Sequence, residues 1–271
     1  MNTHRLFLII MTAALPSLLF AAGSAEHRML VLEYYEDPAE LSIRTAEGKP
    51  AEEIRRGMEL REGAMIRTGD TTAELRIRPS GAIVKIGRDT HFSTDTLAGG
   101  AKERTVFSVA KGMIRSITGR LGKEAQFRVD TPSASSGVRG TDFGVRVDPG
   151  VSEIVFVLRG RVRMSRPDGS SITLTAGTAA DALVQPLRSV DIQETAAGNE
   201  LEELRFRELD PEEVPGYGEE AEESVEDGES EETESVETGT GSESDTGDTG
   251  SGDADAGDTD TSDSNGGSEE D

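Results

Sequence analysis

The stretch from Phe127 to Val147 constrains the fold more than any other part of the chain. Phe127-Arg-Val129 and Phe143-Gly-Val-Arg-Val147 alternate apolar side chains with polar or small ones, the period of a strand with one buried face. Between them lie a Thr131-Pro132 corner, where proline fixes φ and removes a donor, and a Gly137-Val138-Arg139-Gly140-Thr141 turn. Two glycines flanking a bulky pair serve a chain that takes positive φ or passes close to a neighbouring strand. The same alternation recurs at Glu74–Arg78, Ala82–Ile86, Val106–Val109, Val162–Met164 and Ile172–Leu174, each short and bounded by Gly, Pro, Asp or Ser. Pro79-Ser-Gly81 joins the first two into a hairpin with one buried face. Ile154 to Leu158 is apolar throughout, which predicts a central strand covered on both faces. Met29–Tyr35 and Leu41–Ile43 read as opening strands.

The fold class is therefore all-β. Strand starts at Phe107, Phe127, Phe143, Ile154 and Ile172 are separated by 20, 16, 11 and 18 residues, too uneven for a strict repeat array. A short, irregular β-solenoid is the expected architecture and a two-sheet β-sandwich the alternative, because the strand pattern permits either. One capping helix is expected over Asn199–Leu209, with Asn199 as its N-cap and Leu201, Leu204 and Glu208 at helical spacing.

The two ends differ from this middle. Met1–Arg5 is basic, Leu6–Ala22 apolar but broken by Pro16, and Gly23-Ser-Ala25 small, so residues 1–25 read as a secretory signal peptide rather than a span of about 20 uninterrupted apolar residues. The absence of cysteine removes disulfides, thiolate metal sites and lipidation at an N-terminal thiol. Pro211–Asp271 holds 24 of the 53 acidic residues and no Lys or Arg, leaving 29 acids against 28 bases elsewhere. The body over residues 29–209 is thus nearly neutral, and residues 210–271 form an acidic, low-complexity tail too polar to offset the entropy of ordering it; they are expected to be disordered.

Around the 127–147 signature, Ile66-Arg-Thr-Gly69, Val157-Leu-Arg-Gly-Arg-Val162 and Leu174-Thr-Ala-Gly177 complete a pattern that resembles the FecR domain, a bacterial envelope module, over roughly residues 50–180. The resemblance implies a solenoid of strands stacked around a narrow core. In the best-known members the domain lies outside the inner membrane, receives a signal from an outer-membrane transporter and connects through a membrane helix to a cytoplasmic segment that controls a sigma factor. This sequence departs from that plan, with a cleavable signal in place of the cytoplasmic segment and no later membrane span. The expectation is an exported, non-catalytic binding, sensing or scaffolding module, periplasmic or at the cell surface. Its partners would be an envelope protein or a surface polyanion rather than nucleic acid. A cell-surface structural or adhesion component and a carboxylate-dependent hydrolase are the rival classes.

Two groups of residues stand out as candidates for function. Thr131, Pro132, Gly137, Val138, Arg139, Gly140 and Thr141 form the signature, in which Arg139 either pairs with Asp142 or turn carbonyls or binds an anionic partner. Arg159, Arg161 and Arg163 alternate with Gly160, Val162 and Met164, so they are expected on one face of one strand with Arg166 just beyond. This ribbon is either a solvated edge or an anion-binding surface, which the acidic tail would mask. Asp258, Asp260, Ser262 and Glu269 fall at calcium-loop spacing, but Asp263 stands where such a loop needs glycine, so no metal or cofactor is expected. His91 is the only histidine inside the body, and no hydrolase, P-loop or dinucleotide motif is present.

Overall fold

The computed structural model describes residues 28–100 and 102–218. The expected signal peptide, the tail from residue 219 onward and the calcium-spaced acids lie outside the described residues.

The chain winds back and forth between two β layers. β1 (Met29–Tyr35), β2 (Leu41–Arg44), β3 (Met58–Leu60) and β4 (Met65–Thr68) alternate between the first and second layers. The hairpin of β5 (Ala73–Arg78) and β6 (Ile83–Ile86) belongs to the first, and β7 (His91–Ala98) to the second. After β8 (Arg104–Ile117), β9 (Gln126–Asp130) and β10 (Ser135–Val138) return to the second layer, and β11 (Asp142–Asp148) and β12 (Ser152–Arg159) to the first. β13 (Arg161–Ser165) and β14 (Ser171–Thr175) extend the second layer, β15 (Thr178–Asp181) and β16 (Val190–Asp191) the first. Among the described residues all pairings are antiparallel except β8 with β9. The all-β, solenoid-like expectation holds, and the sheet is open.

β8 joins the layers. Its first half pairs with β7 and β9 in the second layer, and its second half with β6 and β11 in the first. The passage falls at Gly112, whose φ is +88° and where a Cβ would stand 2.5 Å from the Thr90 Cα. Only glycine fits both the dihedral and the gap. Between the layers Phe92, Phe107 and Phe127 form a row at centroid distances of 5.0 and 5.4 Å, the first pair tilted and the second edge-to-face, with Phe143 6.2 Å further on, again edge-to-face. Leu30, Ile66, Leu75, Val145 and Met164 fill the same core from both sides. Each such side chain contributes roughly 1.5–3 kcal/mol by leaving water.

β12 is covered twice, as its apolar run predicts. Val155 and Val157 face the central core, while Ile154 and Phe156 face outward into a second cluster with Ile192, Ala197 and Leu204. Gly144 on β11 makes room, since a Cβ there would meet the Phe156 ring and the Ile114 carbonyl.

The C-terminal part departs from expectation. The helix α1 spans only Ala196–Glu200 and is capped by Thr195, whose Oγ1 accepts from the Gly198 amide at 3.3 Å. Leu201–Leu204 continues as a 3-10 turn and the chain then extends, so Asn199 is no N-cap and no helix reaches Leu209. The body also continues beyond residue 209. Pro211–Glu213 forms a 3-10 turn, and Val214 packs with Leu209, Ile83 and Ile117. Val214 and Tyr217, with the Arg76–Glu213 pair and the Arg159 contact to the Gly218 carbonyl, hold residues 210–218 on the sheet.

Candidate binding face

The signature folds as two pinned turns. In the first, the Thr131 amide donates to the Ala134 carbonyl at 2.8 Å, and the buried Glu153 of β12 accepts from Thr131 Oγ1, the Ser133 amide and Ser133 Oγ at 2.7–2.8 Å. In the second, the Thr141 amide donates to Thr118 Oγ1 at 3.1 Å, and its carbonyl accepts from the Thr118 amide at 2.9 Å. Val138 is buried between Phe127 and Val162 in register. Gly140 has φ +62°, and its carbonyl would lie 2.9 Å from a Cβ on Gly160, so glycines on both sides let the second turn touch the corner between β12 and β13. Arg139 is exposed and donates to the Lys123 carbonyl at 2.6 Å. Asp142 is engaged elsewhere: the Arg115 guanidinium holds it in a bidentate pair at 2.8 and 2.7 Å. Burial disfavours the charge on Arg115, but the hydrogen bonds and charge of Asp142 prevail and raise its pKa.

The expected ribbon of Arg159, Arg161, Arg163 and Arg166 is divided. Gly160, at φ +82°, turns the chain from the first layer into the second, so Arg159 ends β12 while Arg161 and Arg163 lie on β13. Arg159 instead stacks over Tyr217 at 5.2 Å and donates to the Gly218 carbonyl at 2.5 Å. Arg166 turns inward, its side chain 9% exposed, and donates to Ser170 Oγ and to the Ala182 and Val184 carbonyls, tying down the loop after β15.

A different arginine set takes the ribbon's place. Pleating points Phe127, Val129, Val138, Val162, Met164 and Leu174 into the core, so the alternate positions of β9, β10, β13 and β14 face outward. In register across these strands run Arg128, Gly137, Arg163 and Thr173, with Arg161 opposite Thr175. A Cβ on Gly137 would meet nothing within 4 Å, leaving a dimple between the flanking arginines. Asp130 is the single acid at these outward positions, held by Arg128 at 2.8 Å, and Arg163 donates to Ser171 Oγ at 3.1 Å. At the far end of the face an open cleft of about 390 Å³ is lined by Arg128, Thr131, Pro132, Ser135 and Arg166. The cleft thus brings together Thr131, Pro132 and Arg166 from the two sequence candidates. Arg128 escaped sequence reading because it lies on β9, two strands from β13, and only the register places it across Gly137 from Arg163. This broad surface of guanidinium and hydroxyl donors can hold carboxylates or phosphates. Among the described residues no group of three His, Asp or Glu is placed to hold a metal ion.

Comparison with known proteins bears out the resemblance. Residues 64–163 match the family model described as FecR protein, a match that runs from β4 into β13. Two crystal structures of a "putative anti-sigma factor" from Parabacteroides distasonis ATCC 8503, at 1.65 and 2.50 Å resolution, are similar at 19% identity and a TM-score of 0.36. Each match covers 42% of this chain and 52% of the other. No curated protein matches.

Proposed function

We propose that this protein is an exported, non-catalytic binding and sensing module of the bacterial envelope, and that its FecR domain receives an acid-bearing partner protein on the outer face of the second layer. One observation carries the reading: Arg128, Arg161 and Arg163 occupy outward positions of β9 and β13, Arg128 and Arg163 in register across Gly137 of β10, with Arg139 at their edge, and all four arginines fall within residues 64–163. Such a face steers acidic partners and holds them by charge-assisted hydrogen bonds, with strong dependence on salt. Export rests on the N-terminal basic, apolar and small-residue pattern, and the FecR family's association with the envelope agrees with it.

The test is a crosslinked pull-down from intact envelopes with the wild-type protein and with an Arg161→Glu, Arg163→Glu variant. A discrete partner recovered by the wild type at low salt and lost in the variant is the expected result, provided both proteins melt alike. Equal recovery by both refutes the arginine face. Unprocessed protein recovered only from the cytosol refutes export.

A further inference from the structure

The outer face of the first layer carries charges that a solvent-facing sheet would not bury. Glu74 and Lys85, on neighbouring strands β5 and β6, are both fully buried and 3.0 Å apart, and Thr72 Oγ1 accepts from Lys85 at 2.9 Å. The cover over them is the C-terminal segment. The Glu74 carboxylate accepts the backbone amides of Arg207, Glu208 and Leu209 in succession, at 2.6, 3.0 and 2.9 Å. A carboxylate that gathers three consecutive amides fits a backbone bent around it, as residues 207–209 are, whatever the side chains there.

The other anchors follow the same chemistry. Arg146 holds Glu200 in a bidentate pair at 2.8 and 3.1 Å, and Arg76 holds Glu213 at 2.9 Å. Glu203 accepts the Arg88 amide, and Arg115 lies over the Phe206 ring at 5.5 Å. Between these polar anchors Ile192, Ala197, Leu204, Leu209 and Val214 fill apolar seats on Met113, Ile154, Phe156, Ile83 and Ile117. Residues 199–217 contain seven acids and two arginines, set against a track that carries the half-buried Arg76, Arg115 and Arg146. The track residues Glu74, Arg76, Lys85, Arg115 and Arg146 lie inside the FecR match, whereas the segment that covers them lies outside it.

We propose that this face is a binding track for an acidic polypeptide segment without regular strand or long helix, occupied here in cis by residues 200–217, and that the matching acidic segment of a partner protein takes the track by displacing them. The loop from Leu183 to Ser189 is the tether, with exposed Leu183, Val184, Gln185 and Pro186, held by the Arg166 contacts, by Asp181 and by the half-buried Leu187. The arrangement makes the strap a resident competitor whose tether keeps its effective concentration high. The track is separate from the arginine face of the second layer, and either can fail without the other.

The experiment inserts a protease site between the exposed Arg188 and Ser189 in the full chain, cleaves it under native conditions, and adds a labelled peptide of residues 189–217, which carries Ile192 and Ala197 as the released segment does. The nicked protein is expected to exchange its strap for the label while the β8 amides remain protected from hydrogen exchange, and the uncut protein to take up at least ~10-fold less because its competitor is tethered. A peptide with Glu200, Glu203 and Glu213 replaced by Gln is expected to compete at least ~10-fold more weakly. Arg161→Glu, Arg163→Glu protein is expected to exchange as the wild type does. Exchange that occurs only when β8 loses protection, or equal competition by the Gln peptide, overturns the proposal.

Discussion

The Glu74 carboxylate and the Lys85 ammonium meet at 3.0 Å with neither side chain reaching solvent, on the side of the β5–β6 hairpin that faces away from the central core. Burial pushes the Lys85 pKa below the usual lysine range despite the pull of Glu74. Removing one partner strands the other charge. Lys85→Met is expected to cost about 3–5 kcal/mol in urea unfolding. Glu74→Gln should additionally speed hydrogen exchange at the amides of residues 207–209, ahead of those in β8. Unchanged exchange there would mean that Glu74 does not hold the strap.

Gly112 offers a test of the passage between layers. Gly112→Ala combines a φ of +88° with a Cβ placed 2.5 Å from Thr90. The strained dihedral alone costs of order 1–3 kcal/mol, so a loss of at least about 2 kcal/mol is expected. Gly150→Ala, also at positive φ but with nothing within 4 Å of its Cβ, should cost less. Equal losses would remove the close approach from the explanation.

Phe107 lies between Phe92 and Phe127 in the row of rings and is fully buried. Phe107→Ala is expected to lose about 3–5 kcal/mol, and Phe107→Leu appreciably less, measured by chemical denaturation. A loss under about 1 kcal/mol for the alanine variant would show that the core collapses around the gap.

His91 supplies a pH dependence. Burial, with Arg67 and Lys111 nearby, holds its pKa below 6.5. A group whose folded pKa is depressed binds its proton more readily in the unfolded chain, so stability rises with pH across the window. The contribution is complete above 6.5 and is lost as pH falls through the lowered folded value. His91→Gln should flatten this part of the stability curve, and an NMR titration of His91 should give a midpoint under 6.5. A midpoint above it would reverse the assignment.

The strand pattern, the double covering of β12 and the two signature turns were legible in the sequence because side-chain period and turn chemistry are local properties. Non-local features were not. Leu201, Leu204 and Glu208 have helical spacing, but the amides of residues 207–209 are taken by Glu74, so the helix stops early. The hairpin shows Glu74 and Lys85 at positions that alternation assigns to solvent, and only a cover more than 100 residues away in sequence buries them. Arg159 to Arg163 has perfect alternation, yet Gly160 spends its conformational freedom on a corner and sends Arg159 into the other layer. The arginine face was half visible: Arg161 and Arg163 could be read, whereas Arg128 needed the register.

Since Arg104–Ile117 supplies a middle strand to both layers, neither can melt by itself. Pulling one sheet apart severs the ladder at the centre of the other, so heat or force should meet a single all-or-none event. The domain is then a stiff frame, and whatever docks on one side meets a surface already braced by the opposite side.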